Sequence, residues 1–240
     1  MAIITATTGS KDISLPSSGY TLCANIAGAS LTGWLNATSV PAGLGSTVFL
    51  WCFLNANTAI RLGLLTVTQA GGVHARASAR RLDSDGVSSA TGTTTIAINT
   101  RWFLALTADF NELGTKNLLI YVNGVLEGTT NVASWTGNLD ASVCQSGAIG
   151  SFGNGTAFVD GTLDDMRFYT RVLSASDVKG IYTARGRDSV LNSIALRYSL
   201  CEAGSGAATG AGSIIERTRL ANATPNNSPT YTSALAHFHR

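Results

Sequence analysis

The stretch Asn117–Gly128, NLLIYVNGVLEG, sets two apolar runs on either side of the pair Asn123-Gly124. Asn and Gly adopt positive φ at low cost, so this pair is the preferred centre of a two-residue type I′ turn. The twist of that turn matches the right-handed twist of paired strands. Leu, Ile, Tyr and Val on the flanks pack well on a pleated surface. The stretch therefore reads as a β-hairpin, and the rest of the chain decides what it belongs to.

Working outward, strand-like segments recur between turn signals. They are DISLP (12–16), ASLTGWLNAT (29–38), STVFLWCFLNA (46–56), AIRLGLLTVT (59–68), GGVHARASARRLD (71–83), TTTIAIN (93–99) and RWFLALTADF (101–110). After the hairpin come SGAIGSF, AFVDGTLDDMRFYTRVL and SIALRYSL. In 29–38 the residues Leu31, Gly33 and Leu35 share one face and Trp34 takes the other. STVFLWCFLNA reads as a strand buried on both faces. One short helix is expected in LSASDVKGIYTARG. Ser174 caps it, Asp177 favours the dipole from the third helical position, Val178, Ile181 and Tyr182 share a face, and Gly186 ends it. Many short strands with Gly, Asn and Ser between them specify an all-β antiparallel sandwich or jelly roll.

Bulk numbers agree. The 240 residues suffice for one large sandwich or two small domains, and only 12% are charged, against about 25% in an average domain. With 26 glycines and a net charge of +2, no basic tract or acidic tail points to nucleic acid or membrane. The longest apolar run, VFLWCFL (48–54), is far short of the roughly 20 residues of a spanning helix. The N-terminus has no charged region followed by a long apolar one, so a secretory signal is not expected. Cys23, Cys52, Cys144 and Cys201 form no C-x-x-C pair. They are expected to be free and mostly buried, without a zinc site. The sequons at Asn36, Asn154 and Asn222 carry little meaning without export.

Several segments, in order, resemble the laminin-G-like, concanavalin A-like jelly-roll superfamily. LLIYVNGVLEG resembles its central hairpin, RWFLALTADF the strand before it, and SLTGWL an early strand with an inward Trp. AIGSFGNGTAFVDGTLDDMRFYTRVLSASDVKGIY resembles the closing motif, which is the specific part. The resemblance runs from about Ser30 to Tyr182. A segment that normally opens such domains has its look-alike at the C-terminus, RYSLCEAGSG…IIERTRLAN (197–222). The chain thus reads as a sandwich over 1–190 and a C-terminal arm over 191–240. The arm completes the sandwich in cis or docks on a neighbour, and either route covers a sheet edge.

Glucanases of the superfamily use E-x-D-x-x-E on one strand. None of Glu112, Glu127, Glu202 and Glu216 sits in that pattern, and no G-x-S-x-G, H-E-x-x-H or P-loop occurs. Gly204, Gly206 and Gly210 imitate a dinucleotide loop without its βαβ unit. Asp164 and Asp165 are neighbours in a strand, so they are expected on opposite faces. The resemblance allows one of them to help hold calcium, but ERTRLAN lacks the usual acidic partner. Trp34, Trp51 and Trp102 read as core. Trp135, between turn signals, is the best candidate for an exposed sugar-stacking ring, with packing over the hairpin the favoured role. His74, Arg76 and Arg80 share a strand face, either solvated or a basic row for an acidic partner. His237 and His239 also share a face, which alone makes no metal site.

No cofactor and no catalytic residue is expected. The first functional reading is a non-enzymatic assembly protein: a phage virion component decorating a capsid or belonging to a tail or fibre, with virion proteins or its own copies as partners. The alternative is an extracellular carbohydrate-binding module or adhesin recognising surface glycans. A third and weaker reading is a glycosidase using Asp83 with Asp85, although DSDG also reads as an ordinary turn.

Overall fold

The computed structural model describes residues 3–6, 11–41, 43–55, 59–111, 117–140, 144–153, 156–185, 187–200, 206–207, 214, 216–217, 222–227 and 229–232. Several residues discussed above lie outside this set: Glu112, Asn154, Gly186, Cys201, Glu202, Gly204, Gly210, His237 and His239.

The strands in chain order are β1 (Ile3–Ala6), β2 (Asp12–Ser14), β3 (Gly28–Ala37), β4 (Thr47–Leu54), β5 (Ile60–Gln69), β6 (Gly72–Ala79), β7 (Ser88–Thr95) and β8 (Arg101–Asp109). They continue with β9 (Asn117–Val122), β10 (Val125–Asn131), β11 (Ser146–Ile149), β12 (Gly161–Tyr169), β13 (Ile194–Tyr198), β14 (Gly206–Ala207), β15 (Thr224–Asn226) and β16 (Thr230–Thr232). The helices are α1 (Ser17–Tyr20) and α2 (Ala175–Ala184). Among the described residues these strands form two antiparallel sheets. One runs β10-β9-β8-β3-β12-β1-β16-β14, with β13 also on β12. The other runs β15-β2-β11-β4-β5-β6-β7. This is the jelly-roll sandwich that the strand pattern specifies.

The hairpin β9–β10 turns on Asn123 and Gly124, with φ of 50° and 77°, the type I′ signature. Asn123 also pins β8: its Oδ1 accepts the Phe103 N–H at 3.0 Å and its own N–H donates to the Phe103 carbonyl. Beyond the turn, Glu127 accepts the Thr93 and Thr94 N–H groups at 3.0 and 2.9 Å, tying β10 of one sheet to β7 of the other.

The interior between the sheets is filled by alternate residues of both. Leu31 and Leu35 of β3 meet Trp51 and Phe53 of β4, Leu62 and Leu64 of β5, and Leu104 and Leu106 of β8. Each such side chain is fully buried and contributes about 1.5–3 kcal/mol. β4 is covered on both faces, since Phe49, Cys52 and Leu54 form a separate apolar cluster on its other side. Cys23, Cys52 and Cys144 are free and buried, and burial pushes the Cys52 thiol up to about 12.

Segments near both ends of the chain line the same edge of β12. β1 pairs with 161–163 and β13 with 166–169. β15 extends the second sheet on β2, and β16 extends the first on β1. The helix α2 begins with a capping box, the Ser174 hydroxyl accepting the Asp177 N–H while the Asp177 carboxylate accepts the Ser174 N–H. It ends on Arg185, which takes the left-handed conformation at φ 50°. Val178 and Ile181 seat α2 on the outer face of the first sheet, over Trp34, Phe103, Tyr121 and Tyr169.

Candidate functional site

Trp34 is buried, but not between the sheets. Leu31 and Leu35 take the inner positions of β3, so Trp34 at the opposite phase faces α2. This corrects the inward Trp that the resemblance implied. Its ring stacks on Tyr182 of α2, with centroids 5.8 Å apart at 27°, and meets Phe103 at 5.2 Å. The Arg101 guanidinium lies over the ring, 4.3 Å from its centroid.

Around this pair opens a cavity of ≈ 110 Å³ lined by Trp34, Arg101, Asn123, Tyr182 and Arg185. Four separate segments build it. β3 supplies the indole and the start of β8 supplies Arg101. The hairpin turn supplies Asn123, and the end of α2 supplies Tyr182 and Arg185. The turn fits closely under the helix: a methyl group at Gly124 would sit 3.0 Å from the Lys179 Cδ and Tyr182 Cδ1 atoms. Glycine is thus required there for its close approach as well as its φ. The "NG" of the opening stretch is both a turn and part of a cavity wall.

Asp164 lies behind Arg101. The two form an ion pair at 2.6 Å, with Asp164 only 2% exposed. Burial raises the Asp164 carboxyl from 3.8 to about 7 against the opposing pull of Arg101, and Asp165 adds to the rise. Burial likewise lowers Arg101; Asp164 opposes that shift and Arg185 adds to it. Three buried polar atoms here have no hydrogen-bond partner among the described residues: Trp34 Nε1, Asn36 Oδ1 and Asp164 Oδ1.

Asp164 and Asp165 do not point to opposite faces. A bulge interrupts β12 between Asp164 and Arg167, and Asp165 sits there at φ 44°. The extra residue breaks the period of two. Asp165 therefore turns to Arg167 and Arg197 on the same side as Asp164, at 2.5 and 3.0 Å. Arg167 is fully buried and also grips Asp188 through two bonds of 2.8 Å. Burial alone would lower Arg167, but its bonds to Asp188 and Asp165 outweigh this and raise it. A calcium site does not fit these residues: both carboxylates already hold guanidinium groups. The further acidic candidate Glu216 accepts the Arg197 N–H at 2.6 Å. Among the described residues no cluster of three or more His, Cys, Asp or Glu side chains is placed to hold a metal ion.

Trp135 is not an exposed platform. It is 3% exposed and stacks on Phe110 at 5.5 Å within the main core. The flanking turn signals are real, since Asn131 Oδ1 accepts the Ala133 N–H, but the ring folds inward beneath them. Trp51 is core, and Trp102 is half-buried with its indole N–H on the Ala97 carbonyl. His74 and Arg76 do face outward together from β6, bonded to the Thr94 carbonyl and the Thr91 hydroxyl. Arg80 lies past the strand and bonds the Leu82 carbonyl instead. Asp83 accepts from Asn55 and Arg61, and Asp85 accepts the Leu82 N–H and pairs with Arg81 at 3.3 Å. Both carboxylates thus serve the turn.

Comparison with known proteins places this geometry in a family. The model for the concanavalin A-like lectin/glucanases superfamily matches residues 6–179. No curated protein matches the chain. Among solved structures, a Bacteroides ovatus protein inferred to bind carbohydrate superposes over 96% of this chain and 59% of its own, at 16% identity and a TM-score of 0.68. The chain thus spans about three-fifths of that relative's length. The CBM40 of a Ruminococcus gnavus IT-sialidase, solved bound to α2,3 sialyllactose, covers 76% of this chain and 96% of its own, at 16% identity and 0.56. A heptameric SAP-like pentraxin of Limulus polyphemus covers 78% and 83%, at 12% and 0.55. At such identities the likeness is one of fold.

Proposed function

The chain belongs to the concanavalin A-like lectin/glucanases superfamily, and on that footing we propose that it is a non-catalytic carbohydrate-binding domain with its sugar site in the cavity beside Trp34. The observation that carries this is the lining itself. Tyr182 offers an aromatic edge that is half-buried and reachable, while Asn123, Arg101 and Arg185 offer polar groups around it. A sugar presents apolar C–H faces and a rim of hydroxyls, and such a pocket meets both. A volume of ≈ 110 Å³ suits one sugar unit at the end of a glycan.

The relatives favour this reading over the virion assembly role. Two of the three solved structures named above are described as binding carbohydrate. Residence on a virion is a separate proposal that glycan binding neither requires nor opposes.

The test is a glycan array with the wild-type chain and the Tyr182→Ala and Arg185→Ala variants. Both side chains are at least partly exposed, so both variants are expected to fold. The reading expects selective, saturable binding that falls at least about tenfold in each variant. Binding that survives both changes would place the site elsewhere, and a flat array from a folded protein would reject the reading.

A further inference from the structure

The cavity is rich in donors and poor in acceptors. Trp34 is one of the lining residues and is 5% exposed, and its buried indole N–H has no partner among the described residues. Asn123 has committed its carbonyl oxygen to the Phe103 N–H, which leaves its NH₂ as the group it can offer. Arg185 is exposed at the end of α2 and, among the described residues, has no ion-pair partner. Arg101 and Arg185 both line the cavity. Asp164 answers only the first of these charges, at 2.6 Å, and is not itself among the lining residues. A neutral sugar hydroxyl can donate or accept. A surface offering two guanidinium groups and an amide NH₂ is better matched by a ligand that only accepts and carries negative charge.

We infer that the cavity selects an acidic sugar, taking its carboxylate against the Arg185 and Arg101 guanidinium groups, with the sugar ring beside Tyr182 and Trp34. This rests on the carbohydrate-binding reading and sharpens it. Arg185 is the residue that confers the choice of charge. Among the described residues its positive charge is unpaired, so an entering carboxylate displaces none of them. Arg101 is a fixed wall, held by Trp34 and Asp164, and contributes direction more than selectivity. A sulfated sugar presents the same chemistry of acceptor oxygens with negative charge, and the experiment separates the two.

The experiment is calorimetric titration of the chain with N-acetylneuraminic acid, galacturonic acid, galactose 6-sulfate, galactose, the methyl ester of galacturonic acid and sodium acetate. It is repeated in 50 and 300 mM salt and with Arg185→Gln. The inference expects an acidic sugar to bind at least about tenfold more tightly than its neutral counterpart. The gap should narrow in high salt, as for any charge pair near solvent, and close in Arg185→Gln. Tighter binding of the sulfate than of either carboxylate would reassign the anion and overturn the carboxylate assignment. Equal affinities for acid and ester would overturn the acidic preference and leave the carbohydrate site standing. Acetate binding as tightly as the sugars, or no sugar binding at all from a folded chain, would overturn both.

Discussion

The guanidinium of Arg101 lies over the ring of Trp34, 4.3 Å from its centroid, on the outer face of a sheet where neither residue belongs to the main interior. The contact is a cation–π pair at a partly desolvated site. It fixes one wall of the cavity, and it does so with help from Asp164, which holds the same guanidinium at 2.6 Å.

At pH 8, above the Asp164 value of about 7, removing Arg101 leaves a buried carboxylate without its cation. Arg101→Met is therefore expected to destabilise the fold by about 3 kcal/mol. Removing both charges in Arg101→Met/Asp164→Leu is expected to recover most of that loss. Urea titrations of the two variants and the wild type check this. A single variant as stable as the wild type would show that the pair carries no such weight.

Asp164 also gives the stability a pH dependence of unusual sign. Its carboxyl is raised from 3.8 to about 7 by burial. Between those values the folded chain keeps a proton that the unfolded chain has released, so this group's contribution is present below the lower value and lost as pH rises through the higher. The slope is at most about 1.4 kcal/mol per pH unit. Asp177 and Asp188 are lowered, so their contributions are lost as pH falls below the ordinary carboxylate range, outside this window. Melting temperatures between pH 4.5 and 7.5 should therefore fall more steeply for the wild type than for Asp164→Asn. Parallel curves would contradict the raised carboxyl.

Much of this architecture was legible in the sequence because its signals are local. Asn123-Gly124 requires positive φ at both positions and finds it, and Ser174 with Asp177 forms the expected capping box. The phase of Trp34 against Leu31 and Leu35 is equally local. The cavity was not legible. Its residues come from positions 34, 101, 123, 182 and 185, and only the packing of α2 on the sheet brings them together. The faces of Asp164 and Asp165 were misread because a one-residue bulge inverts the alternation, and no turn signal announces it. Trp135 takes the favoured packed role, and its turn signals suggest exposure only because turn residues mark where the backbone bends, not where a large ring goes. The signal that existed was Trp34 itself, outward on its strand, with Tyr182 on the apolar face of a nearby helix.

The helix cap bears on the site as well as on the fold. Ser174→Ala removes the acceptor for the Asp177 N–H and is expected to cost about 1 kcal/mol. Since α2 carries Tyr182 and Arg185, hydrogen exchange along α2 should quicken before the sheets respond. Unchanged exchange in α2 would mean that its packing over Trp34, Phe103 and Tyr169 holds it without the cap.

Closure of the sandwich depends on Gly128. A methyl group there would sit 2.4 Å from the Thr91 carbonyl oxygen and 2.8 Å from Ile120 Cγ2. The first neighbour is backbone of the opposite sheet and cannot swing aside. Gly128→Ala is expected to cost about 3 kcal/mol, at the upper end of overpacking effects. Thermal unfolding measures it, and a loss under 1 kcal/mol (about a fifth of the folded-to-unfolded ratio retained) would show that the two sheets separate more easily there than the contact implies.

The most direct test of the central claim watches the Trp34 indole N–H itself. In ¹H–¹⁵N spectra the four tryptophans give four indole signals, and Trp34→Phe identifies one of them. On titration with N-acetylneuraminic acid or galacturonic acid, the account predicts a saturable shift of the Trp34 signal while those of the core residues Trp51 and Trp135 stay fixed. A Trp34 signal that does not move while sugar binding is detected elsewhere on the protein would contradict it.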